Sequence, residues 1–194
     1  MKKIIIAIDS FKGCLTSAEA GKAAEKGIKS INPSCHTSVI PIADGGEGLL
    51  DVLITATKGK YITLSAHGPL MKMAKTHYGL SGNGRTAIIE MAAISGLPLV
   101  PIEQRNPMLT TTFGTGELIK DALNKGCRNF IIGIGGSATN DAGLGMLQAL
   151  GFRFLDKSGH TLGTGGQIME AVANIDTSGI HPALRETHFM VACD

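Results

Sequence analysis

Short apolar runs alternate with amphipathic stretches along much of this sequence. The first apolar run, "KIIIAID", predicts a buried strand, and an Ala-rich amphipathic stretch follows it. Thr16 and Glu19 have the spacing of a capping box, which predicts that a helix begins there. The alternation recurs in "NFIIGIG" and the helical pattern after it. Strand and helix patterns in turn are typical of an α/β fold with a largely parallel sheet.

The pattern changes between Tyr61 and about Thr86. Three segments there, "YITLSAHGPL", "KTHYGLSG" and "GRTAIIEMAA", predict strands joined by Gly and Pro turns. This change predicts a separate lobe. Further on, "FRFLD" and "KSGHTL" predict a hairpin, and "HFMVACD" predicts a last strand. Because a core strand is an unusual terminus, we expect this chain to be the front part of a longer protein.

Glycine is the unusual feature of the composition. The chain has 26 glycines among 194 residues, whereas the usual share is ~7%. They lie at the predicted junctions between elements, where the backbone turns sharply or closely approaches another group.

Charge and cysteine content exclude several classes of protein. The net charge is +2 and aromatic residues make up 4%, and the basic residues are dispersed, so we expect no nucleic-acid partner. No apolar run reaches the ~20 residues of a membrane span, and "IIIAI" is too short for a signal peptide. The four cysteines form no C-x-x-C pair. We therefore expect a cytoplasmic protein with reduced thiols and no membrane partner.

Four loops carry the candidate chemistry. They are the amino-terminal loop (9–13, "DSFKG"), the acidic loop (43–48, "ADGGEG"), the threonine loop (112–117, "TFGTGE") and the glycine loop (133–141, "GIGGSATND"). In open α/β sheets the ligand crevice lies outside the carboxyl ends of the strands, where such loops converge. Glycine before a helix also lets phosphate oxygens approach unpaired N–H groups. We therefore expect a phosphate- or nucleotide-binding cleft.

The predicted nucleotide-binding residues combine close backbone approach with hydrogen-bond donors. They are Gly114, Thr115, Gly116, Gly133, Gly135, Gly136, Ser137, Thr139 and Asn140. The alternative is that the glycines only make the turn and that Ser137, Asn140 or Asp141 only caps the helix that follows.

Carboxylates in these loops are the candidate metal ligands. Asp44, Glu47 and Asp141 are predicted to hold Mg²⁺, which is typically bound by one or two carboxylates and substrate phosphates. Asp44, Lys12 and Asp9 are the predicted catalytic residues, because a hydroxyl must lose its proton and phosphate charge must be balanced. The alternative makes Asp44 the N-cap and Glu47 a first-turn residue of the next helix. Lys12 is then a solvated side chain, and Asp9 pairs with nearby N–H groups.

Other motifs leave two rival functions open. The sequence has no Walker A motif, no G-x-S-x-G elbow and no H-E-x-x-H zinc motif. Gly133, Gly135 and Ala138 fit G-x-G-x-x-A, and Asp156 follows at a distance suitable for a ribose contact, so an NAD(P)-dependent oxidoreductase is one alternative. A non-enzymatic sensor of a phosphorylated acid is the other.

Four motifs in order resemble a known family. "IAIDSFKGCLTS", "PIADGGEG", "TTFGTGELI" and "IGGSATNDAGLGMLQALG" closely resemble the type 1 glycerate kinases, which transfer the γ-phosphate of ATP to D-glycerate. The resemblance covers the whole chain. It implies ATP and Mg²⁺ as cofactors and D-glycerate as substrate, and it leaves open whether the 2- or the 3-hydroxyl is phosphorylated. The oligomeric state stays open.

The resemblance also implies a domain organisation. Members of the family combine a Rossmann-like parallel sheet, with helices on both faces, and a flavodoxin-like α/β domain woven from discontinuous segments. On that basis residues 1–60 and 105–152 form the Rossmann-like domain, and residues 61–104 and 153–194 form parts of the second lobe. Family members are considerably longer, so the chain is expected to be truncated at its C-terminus.

Substrate contacts are assigned on chemical grounds. We expect Ser10, Gly45, Gly46 and Arg85 to contact the substrate. The carboxylate of glycerate needs a cationic or N–H-rich pocket, and Lys12, Arg85 and Arg105 remain alternatives for it.

Overall fold

The computed structural model of the chain describes residues 3–11 and 13–193. Its strands are β1 (Lys3–Ile6), β2 (His36–Val39), β3 (Lys60–His67), β4 (Met73–Leu80), β5 (Thr86–Glu90), β6 (Asn129–Gly133), β7 (Arg153–Leu155), β8 (Asn174–Asp176) and β9 (His188–Ala192). Its helices are α1 (Ser17–Ile31), α2 (Leu49–Thr57), α3 (Ala92–Ser95), α4 (Phe113–Asn124) and α5 (Leu144–Ala149).

The largest sheet in the described part of the chain is mixed. Its five strands lie in the order β3-β4-β5-β6-β9. β5, β6 and β9 are parallel, whereas β3 and β4 join by antiparallel pairing. β1 and β2 form a separate parallel pair, and β7 and β8 an antiparallel one. The predicted α/β fold with parallel strands flanked by helices is confirmed.

The sheet draws strands from both predicted lobes. β3, β4 and β5 come almost entirely from residues 61–104, β6 from residues 105–152, and β9 from residues 153–194. β6 thus lies between two strands that were assigned to the other lobe. The division into 1–60 with 105–152 and 61–104 with 153–194 stays a prediction.

Helices cover both faces of the large sheet. Leu118 of α4 is fully buried in the main core with Ile89 and Phe130. Ile88 packs instead with Leu50 of α2. Because successive residues of a strand point to opposite faces, α4 and α2 lie on opposite sides of β5. The Glu90 carboxylate at the carboxyl end of β5 accepts a hydrogen bond from Leu50 N at 2.7 Å, so α2 begins at that end of the sheet.

The capping box predicted for α1 is confirmed. Thr16 Oγ1 accepts a hydrogen bond from Glu19 N at 3.2 Å, and the Glu19 carboxylate accepts one from Thr16 N at 2.9 Å. Ser17 is buried and donates to Ile8 O at 2.6 Å while accepting from Ile42 N at 2.9 Å. The start of α1 therefore holds the chain after β1 beside the chain after β2.

The predicted hairpin after β6 and α5 is also present. Leu155 bridges Thr161, and the Asp156 carboxylate accepts hydrogen bonds from Ser158 N and His160 N in the turn between them. β7 pairs in addition with β8, a strand that the pattern did not predict.

Glycines bring the start of α4 against its neighbours. A Cβ on Gly114 would lie 1.8 Å from His67 O at the end of β3, and one on Gly116 would lie 2.3 Å from Met146 O of α5. Thr115 is buried between them, and its hydroxyl hydrogen-bonds the Ser95 hydroxyl at 2.8 Å. These contacts give the three residues a packing role, and their nucleotide binding stays a prediction.

Across residues 3–11 and 13–193, no helix combines the length and apolarity that crossing a membrane requires.

Replacing Gly114 by alanine tests this packing. We expect a loss of about 3 kcal/mol or more in the free energy of unfolding, because backbone rather than a flexible side chain occupies the space. Gly27→Ala in α1 is the matched control: no atom lies within 4 Å of its added Cβ, and alanine should stabilise that helix by about 0.5–1 kcal/mol. Urea unfolding measures both. Equal stability of Gly114→Ala and the wild type would contradict the described contact.

Candidate active site

The acidic loop and the glycine loop pack backbone against backbone. A Cβ on Gly133 would lie 2.4 Å from Gly45 O, and one on Gly135 would lie 2.7 Å from the Cα of Gly46. Gly135 N also donates to Gly45 O at 3.4 Å. On its other side, a Cβ on Gly45 would lie 2.6 Å from Ala192 O at the end of β9. The predicted convergence of these two loops at the carboxyl ends of the strands is confirmed.

A cavity of about 640 Å³ opens beside this contact. Side chains of Asp44, Glu47 and Glu90 line it together with the backbone of the two loops. The loop residues that line it are Asp44, Gly45, Gly46, Glu47, Ile134, Gly135 and Gly136. We call it the loop cavity.

A second cavity of about 410 Å³ lies between the start of α1 and α2. Ser10 and Asp51 are among its lining residues. Glu47, His77 and Glu90 line both this cavity, which we call the helix cavity, and the loop cavity. The two cavities therefore adjoin along these three side chains.

Asp44 and Glu47 lie where a cation and a phosphate could meet. Both are exposed, both line the loop cavity, and the Asp44 carboxylate accepts a hydrogen bond from Gly46 N at 2.9 Å. Among the described residues, no group of three or more His, Cys, Asp or Glu side chains is placed to hold a metal. Two carboxylates completed by phosphate oxygens are nevertheless a donor set that suits Mg²⁺.

The amino-terminal loop contributes Ser10, whereas its predicted lysine cannot be placed. Ser10 lines the helix cavity, and the half-buried Asp9 accepts a hydrogen bond from Ser10 N at 2.7 Å without lining either cavity. Lys12 lies outside the described residues.

Asp141 is a buried anchor. It is 1% exposed, and its carboxylate accepts hydrogen bonds from Thr112 N at 2.8 Å and from Gly143 N and Gly145 N at 3.1 Å. The hydroxyl of Thr112 donates to the same carboxylate at 2.9 Å. These contacts favour the alternative in which Asp141 caps the following helix. They also tie the threonine loop to the glycine loop.

The polar residues of the glycine loop bond mainly to each other. The hydroxyls of Ser137 and Thr139 lie 2.7 Å apart, and Ser137 Oγ accepts from Thr139 N at 3.0 Å. Asn140 is exposed. None of these three residues lines the loop cavity or the helix cavity, in contrast to Gly135 and Gly136. Their role in phosphate binding stays a prediction.

Arg85 lies at the wrong end of the sheet for the predicted substrate contact. It is exposed just before β5, whose first residue, Thr86, pairs with Asn129, whereas Glu90 pairs with Gly133 at the cleft end. At ~3.3 Å per residue the two ends of this strand are on the order of 13 Å apart. This position does not favour the predicted substrate contact of Arg85, which stays a prediction.

The dinucleotide alternative is not supported by the glycine loop. A dinucleotide fingerprint places a helix N-terminus directly at its glycines, whereas α5 begins only at Leu144. The backbone of the acidic loop fills the space beside Gly133 and Gly135 that a pyrophosphate would need. Asp156, the predicted ribose ligand, closes the hairpin turn instead.

Glu90 is the cleft residue that the sequence reasoning missed. It ends β5, is half-buried, and accepts a hydrogen bond from Leu50 N at 2.7 Å at the start of α2. Burial is the main cause that raises the pKa of Glu90, and the charge of Asp51 raises it further, while N–H donors and His77 oppose the shift. The available signal was a carboxylate that ends the otherwise apolar strand "TAIIE".

Fold and site together define an α/β protein with an acidic, glycine-walled ligand cleft at the carboxyl ends of its parallel strands. The sequence profile of the glycerate kinase family matches residues 4–194. The chain belongs to the glycerate kinase family. The resemblance seen in the four motifs is confirmed.

Individual relatives agree with this assignment. The chain is 53% identical to a glycerate kinase of Bacillus subtilis (strain 168), over 99% of this chain and 50% of that protein. It is 49% identical to glycerate 2-kinase of Escherichia coli (strain K12), over 99% of this chain and 50% of that protein. A crystal structure assigned as glycerate kinase 2 of Salmonella typhimurium LT2 matches with a TM-score of 0.87 at 48% identity, covering 100% of this chain and 52% of that one. The chain spans about half the length of these relatives. The oxidoreductase and sensor alternatives find no support among them.

Replacing Asp141 by asparagine tests its role as an anchor. An amide cannot accept all of these hydrogen bonds, and its NH₂ group would face N–H donors, so we expect the free energy of unfolding at pH 7 to fall by about 3 kcal/mol. Asp156→Asn, in the hairpin turn, is the control and should have a clearly smaller effect. Urea unfolding measures both. Similar stability of both variants would contradict the anchoring role.

The raised pKa of Glu90 predicts a pH dependence of stability. A folded-state pKa above the ordinary value of 4.5 means that the contribution of Glu90 to stability is present below that pH and is lost as the pH rises through the folded pKa. Glu90→Gln does not titrate. We therefore expect the wild type to lose stability relative to this variant as the pH rises above the ordinary value of 4.5 and through the folded-state pKa, measured by urea unfolding at a series of pH values. A constant difference would contradict the shift.

Proposed function

We propose that the chain takes part in transferring the γ-phosphate of ATP to D-glycerate. The observation that carries this proposal is the contact of the acidic loop with the glycine loop, which sets two carboxylates beside glycine backbone in one cavity. Membership of the glycerate kinase family supports it. The half-length coverage of the relatives means that the activity belongs to a protein of their full length.

Phosphoryl transfer depends mainly on positioning and on neutralising phosphate charge. The backbone of Gly135 and Gly136 lines the loop cavity and would face the phosphate oxygens there. Asp44 and Glu47 would hold Mg²⁺, which supplies positive charge to the phosphates when bound. Lys12 would add a second positive charge, and Asp9 a carboxylate near the start of α1.

The acceptor side of the proposal is a small hydroxy acid near Ser10 and the backbone of Gly45 and Gly46. Because Arg85 is remote, Lys12 and Arg105 remain for the carboxylate of glycerate. The name of the Escherichia coli relative, glycerate 2-kinase, favours the 2-hydroxyl. The wide spacing of the four cysteines, with no C-x-x-C pair, supports a cytoplasmic location.

Turnover by the full-length protein tests the proposal. With ATP and Mg²⁺, ADP release should require D-glycerate, and Asp44→Asn should lower kcat at least ~100-fold because a carboxylate ligand of Mg²⁺ is lost. Phosphorus NMR of the product identifies the hydroxyl.

Asp176→Asn is the matched control. Like the carboxylate of Asp44, that of Asp176 accepts a hydrogen bond from the backbone N–H two residues later, Ser178 N at 2.7 Å. Asp176 lines neither cavity, so turnover should not change. A folded full-length protein that releases no ADP with D-glycerate would overturn the function, and an active Asp44→Asn would overturn the role of Asp44.

A further inference from the structure

The junction of the two cavities marks where a transferred group would lie. The loop cavity has the glycine backbone suited to phosphates, and the helix cavity has Ser10 and the start of α1. In a kinase the phosphoryl group moves from a donor site to an acceptor site that meet at the reacting atoms. The three side chains common to both cavities, Glu47, His77 and Glu90, therefore face that position.

Glu90 is the one of these three that is fixed in place. Glu47 and His77 are exposed, and the His77 ring packs edge-on against Tyr61, with centroids 5.6 Å apart. Glu90 is half-buried at the end of a central strand, and its Oε1 accepts a hydrogen bond from Leu50 N at 2.7 Å. The backbone N–H of Gly48 also donates to this carboxylate, and Glu90 lines both cavities.

We propose that Glu90 orients the acceptor hydroxyl in the helix cavity and accepts its proton during phosphoryl transfer. This inference rests on the proposed kinase function and names the proton acceptor of that same site. It gives Asp44 the metal-binding role alone, because the acceptor hydroxyl no longer needs Asp44 as its base.

Atoms and charge are conserved in this step. The hydroxyl oxygen of the acid forms a bond to the γ-phosphorus of ATP, and the bond from that phosphorus to the β,γ-bridging oxygen breaks. ADP leaves with the electron pair of that bond. The hydroxyl proton passes to the carboxylate of Glu90 and from there to water.

The surroundings of Glu90 suit a proton acceptor. Asp51 from α2 and Glu47 from the acidic loop bring negative charge, and Tyr61 on β3 donates its hydroxyl to Asp51 at 2.5 Å. His77 on β4 acts in the opposite direction and lowers the pKa of Glu90. Burial and Asp51 raise the pKa of Glu90, and a base whose pKa lies closer to neutral accepts a proton more effectively.

Glu90→Gln in the full-length protein tests the inference. Glutamine keeps an oxygen that can accept from Leu50 N, so folding and the KM for ATP should change less than about threefold, while kcat with D-glycerate should fall at least ~100-fold. The wild type should lose kcat as the pH falls through the pKa of Glu90, and the residual activity of the variant should lack that acidic limb.

Glu117→Gln is the matched control. Glu117 is also half-buried and accepts a backbone N–H, His67 N at 2.7 Å, but it lines neither cavity. Its kcat and pH profile should equal those of the wild type.

A second variant keeps the test independent of whether Glu90→Gln folds. Asp51→Asn removes a charge that raises the pKa of Glu90, so the acidic limb of kcat should move to lower pH; a limb that stays in place overturns the inference. If the wild type turns over and Glu90→Gln has the same kcat, the role of Glu90 is overturned but the proposed kinase function is not. A wild type without glycerate-dependent turnover overturns both.

Discussion

Backbone contact between the acidic loop and the glycine loop is the constraint on which the cleft depends. Gly133 and Gly135 leave no room for a Cβ because Gly45 and Gly46 lie directly against them. Gly45 in turn abuts the end of β9. The glycines therefore join three strand ends into one surface, and any side chain at these positions would separate the loops and widen the cleft between them.

Packing this close brings like charges together. Asp44, Glu47 and Glu90 line one cavity, and Asp51 adds to the field at Glu90. Such a cluster is destabilising unless cations or protons balance it. A cleft of this kind favours a ligand that arrives with a metal ion, and it favours keeping a proton near Glu90. Its electrostatics and its proposed chemistry thus have the same origin.

Local signals in the sequence predicted local structure well. Thr16 and Glu19 sufficed for the start of α1, and the glycine-rich strand ends sufficed for the convergence of two loops, because short-range hydrogen bonds and strand direction decide both. Side-chain roles that depend on distant partners were not accessible. Asp141 is engaged by the threonine loop about 30 residues away, and only the register of β5 with β6 places Arg85 away from the cleft end of the sheet.

The identity of Glu90 is itself informative. The backbone N–H groups of Leu50 and Gly48 donate to its carboxylate, and the oxygen of a glutamine could accept from them without the cost of burying a charge. Burial and the charge of Asp51 both disfavour the charged form of this carboxylate. The need to anchor α2 therefore does not by itself explain why the residue is a glutamate. Groups with pKa values perturbed in this way concentrate at sites of proton transfer. Glu90 lies between the two cavities, where the proposed proton transfer occurs, and this role accounts for a charge that packing does not explain.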